Sequence, residues 1–449
     1  MFLQVINETR ETQKLDPRLV SSIFSIFIRD NEPPSNLTRE DIVVANSRQG
    51  SFSRADIILL TVLAISQFTH IVDFMIIMPL GPQLMRLFAI GPSEFSLLVS
   101  AYTFCAGISG FFGAFFLDRF DRKRSFLVFY VGFTLGTLGC ALAPSYDVLL
   151  LMRCLAGTFG GVLGSMVFSI IGDAIAEEKR GAANGIIMGA FSMASIFGVP
   201  FSLYLASLGS WHTPLFALAG LSFATIFLVM WTIPPQRSHL GADFKATFQF
   251  IRSVPWQRRP SLAMLIMAIV VFGQFAVIPF LSPSLVANAG LREDQLPYIY
   301  LVGGLLSIIS SPLIGRWVDR KGPISVFFIT APLSIFPLVG ITLLGPTPLY
   351  GILIVAGLFF LVMGGRMVPT LTFVTGSVVP RFRGAFMSLS NAMQQMAAGA
   401  ASLVAGHVIT KDAEGHLLNY PWIGGLSALL TVVALIIAYL LRKEPAQVH

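Results

Sequence analysis

A chain of 449 residues that is 55% hydrophobic and only 12% charged has about half the charge fraction of a water-soluble domain. Its net charge of +7 lies in the loops between apolar runs, which points to membrane orientation rather than to nucleic acid. Cys105, Cys140 and Cys154 have neither metal-ligand spacing nor a disulfide framework, so metal and redox chemistry built on cysteine is excluded.

The first 54 residues read as a polar cytoplasmic tail. A short helix is predicted over Leu19–Phe27 and a linker over 31–54. The start lacks the short apolar core and cleavage site of a secretory signal, so the first apolar run is expected to direct insertion. Twelve spans are predicted, at 56–81, 94–117, 125–144, 147–171, 182–208, 213–233, 260–285, 296–317, 324–344, 348–376, 384–408 and 421–441. The expected architecture is an all-α polytopic membrane protein with a six-helix bundle at 55–233, a cytoplasmic linker at 234–259, a second six-helix bundle at 260–441 and a short tail at 442–449. Eighteen Lys and Arg fall in loops on the side of the termini and three on the other side. By the positive-inside rule both termini are then cytoplasmic, in a bacterial inner or plasma membrane.

The first span carries Asp73 within HIVDFMIIMP. It lies 17 residues into the span, about 25 Å from its start at 1.5 Å per residue. Ser66, Thr69, His70 and Asp73 share a sector about 100° wide, the stripe expected of a helix facing protein or a wet cavity. In the fourth span Arg153 falls at a similar depth, so the two charges are placed to pair. Gly157, Gly160 and Gly164 share its stripe and permit close helix approach. In the linker, Phe244, Phe248 and Ile251 are spaced as the apolar face of a short interfacial helix. Gln274 lies in the seventh span and Arg366 in the tenth. Asn391, Gln394 and Gln395 lie in the eleventh.

Two signatures recur. Leu117-Asp118-Arg119 returns as Val318-Asp319-Arg320 at an offset of 201, and Arg180-Gly181-Ala182 returns as Arg383-Gly384-Ala385 at an offset of 203. Offsets that agree this closely indicate a duplicated six-helix unit, with the substrate site expected between the halves.

GAFFLDRFDRKR (113–124) and LIGRWVDRKG (313–322) resemble the two copies of the loop motif of the major facilitator superfamily. LLLMRCLAGTFGG (149–161) and IFGVPFSLYL (196–205) resemble the fourth- and fifth-span motifs of its proton-coupled drug and sugar exporters, the arabinose-efflux-like group. The fifth-span copy keeps Gly198 and Pro200 but not the following glycine pair. The resemblance implies a gating role for Asp118, Arg119, Arg122, Gly315, Asp319 and Arg320. It also implies a monomer driven by the proton gradient, with no organic cofactor.

Two readings of the buried charges stay open. In one, Asp73 binds the coupling proton, Arg153 answers it and His70 assists, while Arg366, Asn391, Gln394, Gln395 and Gln274 contact the substrate. In the other, Asp73 and Arg153 lock two helices together. The expected function is proton-coupled efflux of a small organic molecule by alternating access. The alternative is a symporter or facilitator importing a sugar, an organic acid or another metabolite. The chain has no GxxxxGK[ST] loop, no HExxH and no sizeable soluble domain, which argues against a membrane enzyme or a sensor.

Overall fold

The computed structural model describes residues 52–116, 120–235, 244–379 and 382–443, and Arg54–His449 belong to one compact unit. The tail helix expected over Leu19–Phe27, and Asp118 and Arg119 of the first loop motif, lie outside the described residues.

The N-terminal half holds α1 (Arg54–Ile76), the short α2 (Gly81–Leu87), α3 (Pro92–Phe116), α4 (Arg122–Ala141) and α5 (Tyr146–Ala174). These are followed by α6 (Glu177–Met193), α7 (Val199–Leu208) and α8 (His212–Thr232). Helix α9 (Phe244–Ser253) leads into the C-terminal half: α10 (Arg258–Ala287), α11 (Leu296–Lys321), α12 (Pro323–Thr342), α13 (Leu349–Gly376), α14 (Arg383–Val408) and α15 (Tyr420–Lys443). A two-residue ribbon pairs β1 (Thr410–Lys411) with β2 (Leu417–Leu418) between the last two helices.

Eleven helical segments among the described residues are long and apolar enough to cross a membrane. The expected eleventh span is α14. Its 26 residues reach about 39 Å, so length is not what it lacks. Ser388, Ser390, Asn391, Gln394 and Gln395 dilute its hydropathy. They are tolerated because α14 packs along α3 of the other half and along α10, leaving less of it to face lipid.

Helix α1 ends at Ile76 rather than at residue 81. Pro79 supplies no N–H, and the chain passes through a turn in which the Met78 N–H bonds the Met75 carbonyl at 3.3 Å before it restarts as α2. The fifth span is also interrupted. A π-helical turn over Ala194–Gly198 separates α6 from α7, just before Pro200 removes a donor from the ladder. Gly198 in this turn touches Val72; a Cβ there would come within 2.3 Å of the valine side chain.

The linker helix α9 forms where predicted; of its predicted apolar face, the side chains of Phe244 and Phe248 lie outside the described residues. Ile251 and Phe250 are buried in the core of the C-terminal half, and the Phe250 ring stacks on Phe382 at 4.4 Å. That partner of Phe250 lies 132 residues away in sequence.

The halves meet along two matching seams. Gly399 of α14 sits on Thr103 and Phe104 of α3, and Gly304 of α11 sits on Ile196 of the π turn. Positions 103 and 304 differ by 201, and 196 and 399 by 203, so the second seam is the repeat image of the first. At the end of the bundle away from the described termini, one apolar core joins both halves, with Leu80, Leu84 and Phe95 meeting Phe280 and Leu285. There Ser402 donates to the Ser96 carbonyl (3.3 Å), and Arg86 forms a forked pair with Glu293, its Nη2 3.2 Å from Oε2. These bonds to the Glu293 carboxylate raise the Arg86 pKa. Towards the other end, the core around Phe250, Val270, Phe327 and Phe386 is built by α9 and the C-terminal half alone.

Candidate functional site

Asp73 is fully buried and Arg153 is 1% exposed. The early end of α1 explains their meeting. Asp73 stands in the last helical turn, where backbone carbonyls lose their intrahelical donors and the helix dipole is negative. Arg153 answers both. Its Nη1 donates to Asp73 Oδ2 at 3.1 Å and to the Asp73 carbonyl at 3.2 Å. Thr137 of α4 donates to Oδ1 at 2.9 Å. The guanidinium lies 4.2 Å above the centre of the Tyr102 ring, within cation–π range. Four helices thus converge on one carboxylate. Removing one partner of such a buried pair costs about 3–5 kcal/mol.

Close helix packing makes this possible. Gly157 of α5 lies against the backbone of Tyr102, where a Cβ would come within 2.3 Å of the Tyr102 carbonyl oxygen. That approach sets the Tyr102 ring beneath Arg153, one turn away on α5.

His70 is a turn before Asp73 but makes no hydrogen bond to it. Its ring packs edge-on against Phe133 at 5.7 Å, and both ring nitrogens are enclosed without a partner. Just past Asp73, Phe74 contacts Tyr102 (5.5 Å) and Phe275 of α10 (5.7 Å). Residues 74 and 275 are again 201 apart, so each ring meets its own repeat image and the contact marks the pseudo-twofold axis. By the same offset Gln274 is the image of Asp73.

In the C-terminal half Arg366 is 1% exposed. Its Nη1 donates to Thr431 Oγ1 at 3.3 Å and its Nη2 to the Val270 carbonyl at 3.4 Å, while Nε has no partner. Gln274 Oε1 is enclosed without a partner. Gln394 donates to Ser390 at 3.4 Å. Asn391 and Gln395 are half-buried on α14 and make no side-chain hydrogen bond among the described residues.

The loop-motif residues lie apart from this centre. Arg122 is buried and its Nε donates to Asp173 at 3.0 Å, which ties the start of α4 to the last turn of α5. Asp121 caps α4 by accepting from the Arg124 N–H. Asp319 and Arg320 are exposed at the end of α11, and Gly315 has open space beside it. Sequence reasoning did not find Thr137, Tyr102 or Asp173. Asp173 alone had a signal, as an acid in the final turn of an apolar helix.

Comparison with known proteins identifies a family. The family model of the Major Facilitator Superfamily matches residues 63–403. The MFS-type transporter YceJ of Bacillus subtilis (strain 168) is 25% identical over 83% of this chain and 93% of its own. A chloramphenicol resistance protein of Streptomyces lividans is 24% identical over 72% and 80%. Among solved structures, the partially occluded inward-open xylose transporter XylE from E. coli superposes with a TM-score of 0.68 at 15% identity, covering 88% of this chain and 99% of that one. The helical repeat, the spans and the matched family lead to one conclusion: the chain is an integral membrane transporter that belongs to the Major Facilitator Superfamily.

Proposed function

We propose that the chain is a proton-coupled secondary transporter of a small organic molecule, with Asp73 as the proton carrier. The observation that supports this reading is the buried contact of Asp73 with Arg153 and Thr137. A carboxylate in the negative last turn of a helix is held as an anion by one guanidinium and one hydroxyl. A proton arriving at Oδ2 removes the charge that Arg153 answers. The guanidinium is then free to take another partner, and α1 and α5 lose their strongest link. Both helices border the interface between the halves, so such a change can bias their rocking. The sealed end carrying Arg86 and Glu293 is the outer one if the basic loops face the cytoplasm, and the state described is then inward-facing.

Export is supported by the name of the Streptomyces relative, a chloramphenicol resistance protein. Import by symport is a second reading, favoured by the missing glycine pair after Pro200 in the fifth-span motif.

The deciding measurement uses purified protein in proteoliposomes, with a ligand found by thermal stabilisation at pH 6 and pH 8. Asp73→Asn is expected to abolish accumulation driven by a pH gradient while substrate exchange persists. Accumulation retained by the variant would sink the reading and leave the pair as a helix lock.

A further inference from the structure

The two halves treat their buried charges differently. In the N-terminal half Arg153 is matched by Asp73. In the C-terminal half Arg366 is equally buried, and no carboxylate among the described residues lies within ion-pair distance of it. Its two hydrogen bonds are long, at 3.3 and 3.4 Å, and its Nε has no partner. The edge formed by Nε and Nη2, the fork that takes a carboxylate or phosphate in parallel bonds, therefore carries only one weak contact.

The repeat does not duplicate the arginine: at the offset of 203, Arg153 corresponds to Ala356 and Arg366 to Leu163. The position that supplies the acid in the first half is occupied in the second by Gln274, an amide without charge. Val270, whose carbonyl Arg366 reaches, is one turn before Gln274 on α10. A buried cation without a counter-charge is costly in a membrane and marks a place where one is supplied from outside.

We propose that the transported substrate is an organic anion, whose carboxylate, phosphate or sulfonate group binds Arg366, with Thr431 beside it and Gln274 one turn beyond Val270 on α10. This rests on the transport reading above. It also sets the sense of coupling. The titratable and charged groups around Asp73 are Arg153 from α5, Tyr102 from α3, Cys140 from α4 and His70 on α1 itself. Of these, Arg153 alone carries a full charge opposed to Asp73. Protonating Asp73 leaves Arg153 unmatched, so the buried interior of the bundle gains positive charge and an anion there is held more tightly. Anion and proton then load together, which favours the second reading above, symport, over export.

The test uses the full chain purified in neutral maltoside detergent, so that no anionic lipid headgroup competes. Melting temperature is read for wild type, Asp73→Asn, Arg366→Met and Arg366→Lys. Each is measured alone and with matched aromatic probes: benzoate, phenyl phosphate and benzenesulfonate against benzamide and benzylamine. Without ligand, Arg366→Met is expected to melt higher than wild type, because a charge without a counter-ion is gone. The anionic probes are expected to stabilise wild type, more at pH 6 than at pH 8. They should lose most of that effect in Arg366→Met and keep part of it in Arg366→Lys.

A ligand-free Arg366→Met that melts lower would make Arg366 a structural residue and overturn the proposal. Stabilisation by benzylamine or benzamide in place of the anions would overturn it as well, as would a panel in which no anion acts. An anion effect that depends on Arg366 but is indifferent to pH and to Asp73→Asn would keep the substrate class and sink proton coupling instead.

Discussion

Thr137 gives the Asp73 carboxylate its second donor, and a valine of nearly the same shape would take that donor away. A hydrogen bond to a charged group contributes about 1.5–3 kcal/mol. Thr137→Val is therefore expected to lower the melting temperature in an otherwise wild-type chain but to do much less beside Asp73→Asn, where the acceptor no longer carries charge. A double-mutant cycle measures the difference, and additive losses would mean that Thr137 only packs. This contact also shows where sequence reading stops. Asp73, Arg153 and Arg366 stand out because a full charge in an apolar run is rare. Thr137 is 64 positions from its partner, and a threonine in a span is ordinary. Tyr102 likewise looks like any membrane aromatic until Gly157 brings α5 against its backbone.

At the level of elements, the twelve spans and the repeat were legible because hydropathy and charge recur along the chain. The breaks were less so. Pro79 was in plain view, yet the apolar run continues past it, and hydropathy alone carried the first span on to residue 81. The linker helix was found by its spacing, with Ile251 buried, but the stacking of Phe250 was not, since Phe382 lies 132 residues beyond it. The close contact of Gly157 with α3 gives a direct test. Gly157→Ala places a methyl against backbone rather than against a movable side chain. Overpacking of this kind costs about 1–3 kcal/mol, so the variant should melt lower and bind ligand more weakly as Tyr102 and Arg153 separate. Gly220→Ala, with nothing within 4 Å of the added atom, is the control and should melt no lower than wild type. Equal behaviour of the two would show that α3 and α5 have slack.

Over the whole molecule, the joint core and the Arg86–Glu293 pair close one end. The pair is exposed, so its contribution is about 0.2–1 kcal/mol. That is small against total stability but enough to shift a balance between two states up to about fivefold. Glu293→Gln should raise the rate at which a maleimide labels Ser96→Cys, a position buried where α3 meets α14. An unchanged rate would reduce the pair to a surface contact. The ring contact on the pseudo-axis carries a different consequence. In a homodimer a residue touches its own copy only where the symmetry axis passes through an isologous interface, and Phe74 meets Phe275 in that manner. The chain is thus folded as a two-subunit assembly with a covalent tether. A true homodimer cannot change one subunit without changing the other, because every substitution appears twice. Once tethered, one copy could keep an acid at position 73 while the other took an amide at 274, so matching positions of the two copies became free to differ in charge.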